Sequence, residues 1–402
     1  ALLNRGRTTI KALPKIEEVN RLLEVLASLG VEITHEDHSV TLQPPQVFKL
    51  DQINVEAAKK TRSILLFIGS LIHAQKNFKL PYAGGCQLGE RTVRPHLFAL
   101  EQLGVKITAR QEYYDVRVER LKRNQEIVLY EMGDTVTENL LLASSLIAGP
   151  TTIKFASSNY MVQELCWFLT ELGVVIKGIG TSTLRVFGLP EIKKDLTYHL
   201  SEDPIESMLF LALAATTGSS LTIKRAPIDF LALELLKLQK MGFKYKLSKL
   251  YKSQNGQLNL VDIQTKPSKL KALEDKIHPL PYPGINIDNL PFFVPIATQA
   301  KGQTLIHDWV YENRAIYYLE LTKLGASIIL ADPHRVIIDG PTELKGTEII
   351  CPPALRPAAI ILIAMLAAKG KSILRNIYSI NRGYEDLVTR LKQLGAKIDF
   401  LN

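Results

Sequence analysis

Apolar positions along this chain fall into two alternating kinds of segment. One is a helix-like phrase that ends on Leu-Gly or Met-Gly and passes into a short apolar, often β-branched run. It reads LASLGVEI around Gly30, LEQLGVKI around Gly104, LTELGVVI around Gly173, LQKMGFKY around Gly242, LTKLGASI around Gly325 and LKQLGAKI around Gly395. Each glycine stands where a helix C-cap favours a left-handed backbone, and the residues after it predict a strand. The period is roughly seventy residues, longer than common solenoid units of about 20–50. Each period therefore holds a larger unit than one helix and one strand.

The second kind is apolar almost all round, the mark of a helix buried on every side. The pattern predicts such helices over Val55–His73, Thr135–Ala148, Pro204–Thr217, Leu290–Ala300 and Arg356–Ala368, each followed by an extended segment. Further short strands are expected around Ser39–Leu42, Tyr114–Val118, Thr183–Val186 and Arg335–Ile338. Six units of strand, helix, strand, helix imply an α/β chain of two domains with three repeats each. The polar stretch Tyr198–Pro204 marks the boundary, giving domains 1–199 and 200–402. The first unit is incomplete: Ala1-Leu2-Leu3, Gly6 and the TTI that follows match only the tail of a buried helix and its strand. Repeat logic puts the rest upstream, so the expectation is of an N-terminally truncated chain, inactive and poorly stable as it stands.

Composition narrows the class. At 46% hydrophobic and 22% charged residues the chain reads as soluble and globular, with no sign of disorder. Its longest apolar run, Ala358–Ala368, is too short to span a bilayer. No secretion signal stands at the start, and an odd count of three cysteines suits a reducing, cytoplasmic setting better than a disulfide framework. A net charge of +9 points to anionic ligands. The lysines are scattered rather than clustered, which argues against nucleic acid and for an anionic small molecule.

Candidate chemistry concentrates in Leu80–His96, LPYAGGCQLGERTVRPH, which holds paired glycines, Cys86, Arg91 and Arg94 between two predicted helices. A thiol beside arginines can have a lowered pKa and act as acid or nucleophile. A lone cysteine can equally be a small buried hydrophobe, and the residues alone leave both readings open for Cys86. Cys166 and Cys351, in apolar runs, read as core. Arg314, Arg356 and Arg382 fall near the ends of elements, where a guanidinium can recognise carboxylate or phosphate in bidentate fashion. Each could also be a solvated surface charge. Asp288, in PGINIDNLP, taken alone reads as a helix N-cap.

Together these pieces resemble the UDP-N-acetylglucosamine 1-carboxyvinyltransferases of the EPSP synthase superfamily. GGCQLGERTVRPHLFALEQLGVKI is similar to their active-site loop, G-G-C-x-I-G-x-R-P-V-D-L-H followed by x-x-L-E-x-L-G-A. Thr61-Arg62, GDTVT from Gly133, Asp288, VYENR at Val310–Arg314, Leu355-Arg356 and Arg382-Gly383-Tyr384 keep the family's order and nearly its spacing. The resemblance implies two inside-out α/β domains, each of three βαβαββ repeats (the enolpyruvyl transferase fold). It implies transfer of the enolpyruvyl group of phosphoenolpyruvate to the 3-hydroxyl of UDP-N-acetylglucosamine, the first committed step of peptidoglycan synthesis. Cys86 then resembles the proton donor to C3 of phosphoenolpyruvate, and Asp288 the carboxylate that holds and deprotonates the sugar hydroxyl. Arg91 and Arg382 resemble the phosphoenolpyruvate clamp, with Arg356 nearby. Arg62 and Val310 match positions that contact the nucleotide sugar. Thr92, Val93, Arg94 and Pro95 occupy the P-V-D-L positions, Gly133 lies in the nucleotide-binding stretch, and Arg314 closes the ENR motif. The implied enzyme is a cytoplasmic monomer that acts on two small molecules and uses no cofactor and no metal. Neither membrane nor nucleic acid is a partner.

The departures from the family cluster on one side. Arg94 replaces the aspartate that reads uracil, and Leu129–Thr135 has lost a lysine and a serine of the nucleotide-binding stretch. Asn159-Tyr160-Met161 stands where the family has E-P-E, and Ala354 replaces an aspartate. The family's Lys-Asn pair belongs to the segment expected upstream. The phosphoenolpyruvate side looks kept and the nucleotide-sugar side rewritten. Two alternatives follow: a 3-phosphoshikimate 1-carboxyvinyltransferase, against which the missing G-N-A-G-T-x-x-R signature speaks, and a non-catalytic or altered-substrate paralogue.

Overall fold

A computed structural model describes residues 1–84 and 92–400, which form two compact units, 1–84 with 92–200 and 201–400. Each carries three small sheets among the described residues. In both units the longest buried helices are enclosed on nearly every face, whereas the strands bury alternate residues. In Tyr113–Val118, for example, Tyr114 and Val116 point inward. Helices buried all round and strands buried on one face put the helices innermost and the sheets outside them. This is an inside-out α/β fold.

One full repeat of the first unit runs Glu126–Val128, Asp134–Ser144, Gly149–Lys154, Tyr160–Glu171, Val175–Lys177 and Thr183–Gly188: strand, helix, strand, helix, strand, strand. Its sheet sets Glu126–Val128 parallel beside Gly149–Lys154, followed by two antiparallel strands. The first sheet has the same order but draws its outer strand from the far end of the unit. Leu196–His199 runs parallel to Thr8–Lys11, with Thr8 opposite Leu196, and Ser39–Gln43 and Glu32–Glu36 complete it. Asn77–Pro81, Tyr113–Val118 and Val105–Ala109 make the third sheet.

In the second unit, Pro204–Thr217 packs against Leu355–Ala367 and Phe293–Ala297. The first of these is framed by local signals. The Asp203 side chain caps the Ile205 N–H at 2.8 Å, Pro204 supplies a pre-set φ in the first turn, and Gly218 closes the helix at φ 64°. Leu355–Ala367 buries every residue from Pro357 to Met365. Around these helices lie the sheets Thr222–Pro227/Asn259–Lys266/Lys244–Leu247, Gly302–His307/Arg335–Gly340/Ser327–Asp332 and the parallel pair Glu348–Ile350/Ile373–Arg375. No helix among the described residues is long and apolar enough to cross a membrane.

Several predicted elements differ in detail. The helix expected over Val55–His73 is broken into Val55–Ala58, a 3-10 turn at Ser63–Leu65 and Leu66–Leu71, because Asn54 and Thr61 each bond nearby main-chain N–H groups and restart the chain. The helix expected over Leu290–Ala300 shrinks to a 3-10 turn at Leu290–Phe292 and Phe293–Ala297, with prolines at 291 and 295. Before Gly325 the helix is 3-10 throughout, Ala315–Leu324. After Gly395 no strand forms, although the glycine keeps its positive φ of 93°.

Candidate active site

In the first unit, the chain around Arg62 is fixed by Glu18, whose carboxylate accepts from the hydroxyls of Thr61 and Ser63. Arg62 in turn donates to the Thr92 carbonyl at 3.1 Å. Cys86 and Arg91 lie outside the described residues. The chain beyond them turns into the helix Arg94–Gln102, where the Thr92 hydroxyl accepts from the Arg94 N–H at 3.2 Å and Val93 is the N-cap. Pro95 and His96 are buried while Arg94 stays exposed.

His96 ties this helix to the next repeat. Its Nδ1 accepts from Asn139 at 3.1 Å, and its Nε2 faces the Thr135 hydroxyl at 3.3 Å. Asn139 also accepts from the Gly69 N–H at 2.8 Å and donates to the Leu65 carbonyl at 2.9 Å. The two helices come so close here that a Cβ on Gly69 would overlap the Asn139 carbonyl. Gly133 caps the helix with an extended backbone, and its carbonyl accepts from Thr137 at 2.7 Å. Beside it the Asp134 carboxylate is engaged by Ser157 at 2.5 Å and Asn159 at 2.9 Å. One turn on, Glu138 is buried without a compensating charge, and burial together with the nearby Asp134 pushes its pKa up to about 8. Burial and Glu138 likewise raise the Cys166 thiol to about 12, so Cys166 is inert core, as its sequence setting suggests.

The second unit gathers the acid and two of the arginines. Asp288 does not cap a helix. The residue before the 3-10 turn is Asn289, and it makes no side-chain cap. Instead the Asp288 carboxylate, 28% exposed, lies between two guanidiniums: 3.7 Å from Arg314 Nη1 and 3.5 Å from Arg356 Nη2. The loop itself is held by buried Glu234, which accepts from the Asn286 N–H at 3.2 Å and the Asn289 side chain at 2.9 Å. Burial raises the pKa of that carboxyl, with the Asn289 bond opposing.

Arg314 is fully buried, not a surface charge. It forms a fork with Asp308, Nε to Oδ2 at 2.6 Å and Nη2 to Oδ1 at 2.8 Å, and Nη2 also donates to the Ile287 carbonyl at 2.7 Å. Asp308 is placed by the hairpin after Gly302–His307: its N–H donates to the His334 carbonyl at 2.7 Å. Burial opposes the Arg314 charge, but Tyr318 and Asp308 more than offset it and hold the pKa above the usual value. Arg356 enters at the start of its helix and donates from Nη1 to the Tyr384 hydroxyl at 2.7 Å. Burial pushes that hydroxyl up to about 12, so it remains a neutral partner. Gly383 lets the Arg382-Gly383-Tyr384 turn sit on Leu355, whose side chain a Cβ would overlap. Arg382 caps the short helix Tyr378–Asn381, and Val310 follows Asp308 by two residues, half-buried.

The second unit thus brings Asp288, Arg314 and Arg356 into one cluster, with Arg382 two residues from its Tyr384 wall. The first joins Arg62 to Thr92 and, through His96, the Val93–Pro95 turn to Gly133. Asp308, Tyr318, Glu234 and His96 were not singled out from the sequence.

The sequence model of EPSP synthase (3-phosphoshikimate 1-carboxyvinyltransferase) matches residues 1–399. The chain belongs to the EPSP synthase family. It is therefore a carboxyvinyl (enolpyruvyl) transferase. Among this family's members, a UDP-N-acetylglucosamine 1-carboxyvinyltransferase of Treponema denticola is 33% identical over 402 residues, covering 99% of this chain and 92% of its own length. The enzyme of that name from Bradyrhizobium diazoefficiens is 33% identical over 404 residues, covering 99% and 90%. Of solved structures, the enolpyruvyl transferase NikO from Streptomyces tendae superposes with a TM-score of 0.84 at 23% identity, over 99% of this chain and 91% of that one. EPSP synthase from Acinetobacter baumannii gives 0.76 at 19%, over 100% and 93%. These two share the fold.

Proposed function

We propose that this EPSP synthase family member transfers the enolpyruvyl group of phosphoenolpyruvate to the 3-hydroxyl of UDP-N-acetylglucosamine, with release of phosphate. The observation that carries the reading is the partly exposed Asp288 carboxylate held between Arg314 and Arg356. A reaction joining a hydroxyl to an anionic substrate needs such a placed base among fixed cations. Likeness over 99% of this chain to relatives named UDP-N-acetylglucosamine 1-carboxyvinyltransferase supports that acceptor. In the proposed sequence, Asp288 accepts the proton of the sugar hydroxyl as its oxygen bonds C2 of phosphoenolpyruvate and C3 takes a proton from Cys86. The tetrahedral adduct then loses phosphate as the C2–oxygen bond to it breaks. C3 gives back a proton and the double bond returns. Arg91, Arg356 and Arg382 would bind the phosphoenolpyruvate anion. Arg62, Thr92–Pro95, Gly133 and Val310 would line the nucleotide-sugar side, with Arg314 behind the base. As part of the same reading the enzyme works as a cytoplasmic monomer in peptidoglycan synthesis.

A second reading, a different sugar nucleotide, is favoured by one observation. Asp134 opens the helix that Gly133 caps, and its carboxylate is tied there by Ser157 and Asn159. A fixed anion at a helix N-terminus competes with a bound phosphate.

The test is phosphate release from phosphoenolpyruvate with UDP-N-acetylglucosamine, for the complete reading frame as parent and for its Cys86→Ser and Asp288→Ala variants. Sugar-dependent release by the parent, a product heavier by one enolpyruvyl unit, and a loss of about a thousandfold or more in Asp288→Ala are expected for an essential base. Release with another sugar nucleotide only would favour the second reading. Absence of release with any sugar nucleotide, and of any adduct on Cys86, would defeat both.

A further inference from the structure

Three cationic nitrogens of Arg314 are in play, and only two are used. Nε and Nη2 are consumed by Asp308 and the Ile287 carbonyl, while Nη1 is buried without a hydrogen-bond partner and lies 3.7 Å from the Asp288 carboxylate. A buried guanidinium nitrogen left open is costly, so a fold that keeps one has constrained everything around it. The constraints are visible. Asp308, itself fully buried, grips the guanidinium edge-on in bidentate fashion, and the Tyr311 ring lies 4.4 Å from its central carbon. The Tyr318 hydroxyl donates to Asp308 Oδ2 at 2.5 Å, the same oxygen that holds Nε. The Ile287 carbonyl belongs to the residue just before Asp288, so one guanidinium fixes both the main chain leading to Asp288 and the carboxylate itself.

We infer that Asp308 and Tyr318 are positioning residues for the reaction, acting through Arg314 to aim the Asp288 carboxylate. The inference rests on the proposed role of Asp288 as the base. Asp308 cancels most of the Arg314 charge, so the paired cation orients its neighbour without adding a net positive charge behind it. Tyr318 fixes which way the Asp308 carboxylate turns and therefore the plane in which Nη1 points. Both residues are fully buried. Arg356 with Tyr384 performs the matching task from the other side, and Glu234 anchors the loop from a third element.

The discriminating variants are Tyr318→Phe, which keeps the ring and loses only the hydroxyl, and the pair Asp308→Asn and Asp308→Glu. Misplacing a reacting group by about an ångström can cost on the order of a hundredfold, and loss of one indirect bond should cost less. Tyr318→Phe is expected to lower kcat about tenfold while the KM for phosphoenolpyruvate changes less than about twofold, because the reacting geometry and not anion binding is disturbed. Asp308→Asn should lose more, and Asp308→Glu should recover part of it. A Tyr318→Phe enzyme with unchanged kcat and a lower melting temperature would make the hydroxyl merely structural and overturn the inference. The crystal structure of Tyr318→Phe gives a readout independent of turnover. Asp288 is expected to leave Arg314 Nη1, and a carboxylate still within about 4 Å, the ordinary ion-pair limit, would also overturn it. If the parent itself releases no phosphate, the proposed function fails on its own, while the crystallographic result still decides the positioning.

Discussion

Arg314 is the residue at which sequence reading and structure diverge most. An arginine in VYENR suggests exposure, because its partners Asp308 and Tyr318 are joined to it by a hairpin end and a 3-10 helix that no local pattern announces. Asp288 taken alone suggests a cap, as a polar residue before a helix does; the family resemblance instead marks it as a working carboxylate, and in the structure it lies between Arg314 and Arg356. What could be read at this scale were the residue types: a carboxylate and arginines at motif spacing. Glu138 yields a prediction that sequence alone could not. Its pKa rises from 4.5 to about 8 through burial and the nearby Asp134. Below the lower value both folded and unfolded chains hold the proton. Between the two values only the unfolded chain ionises, so stability falls as pH rises, and above the upper one the loss is complete. At about 1.4 kcal/mol per pKa unit the loss is of order 5 kcal/mol at most. Glu138→Gln removes the ionisation, so its melting temperature should gain on the parent's from pH 5 to pH 9. Parallel curves would show that Glu138 does not titrate in this way.

Elements were far more legible. All six glycines of the repeated phrase adopt positive φ, from 87° at Gly104 to 101° at Gly173, as the C-cap reading requires. The helix over Pro204–Thr217 appears with its predicted bounds, since Asp203, Pro204 and Gly218 mark both ends chemically. The breaks inside Val55–His73 and Leu290–Ala300 escaped because side-chain hydrogen bonds and closely spaced prolines override an apolar pattern without altering it. Gly69 shows what packing adds. Nothing in LLFIGSLI explains a glycine in a buried helix, whose intrinsic cost there is about 1 kcal/mol. Asn139 of the neighbouring helix explains it by sitting where a side chain would go. Gly69→Ala should destabilise the protein by about 2 kcal/mol or more, read from urea denaturation, because helix propensity favours alanine and only overpacking opposes it. A variant as stable as the parent would mean that the two helices can part at no cost.

At the scale of the molecule, the repeat count and the α/β class were written in the hydrophobic pattern, because each buried helix and each capped phrase recurs. Which strand closes which sheet was not, since parallel pairing between distant segments leaves no local signature. Each unit has its own interior; that of the first runs unbroken from Leu3 to Ile192. Ile361, fully buried in the second unit, offers a test of their independence. Ile361→Ala should cost about 2–5 kcal/mol and lower hydrogen-exchange protection in Pro204–Thr217. Protection of Asp134–Ser144 in the first unit should be unchanged. Equal losses in both would show that the units unfold as one.

The parallel seam between Thr8–Lys11 and Leu196–His199 also sets a schedule. The Arg7 N–H that meets the Asp195 carboxylate at 2.7 Å belongs to a residue made 188 positions earlier. At translation rates of about 5–20 residues per second, the first strand waits on the order of ten to forty seconds for its neighbour to emerge from the ribosome. Meanwhile Ser39–Gln43 can cover one edge, and the other stays open to any strand that drifts near. For this protein the hazard of mispairing is greatest at birth, and it ends when the last residues of the first unit come into reach.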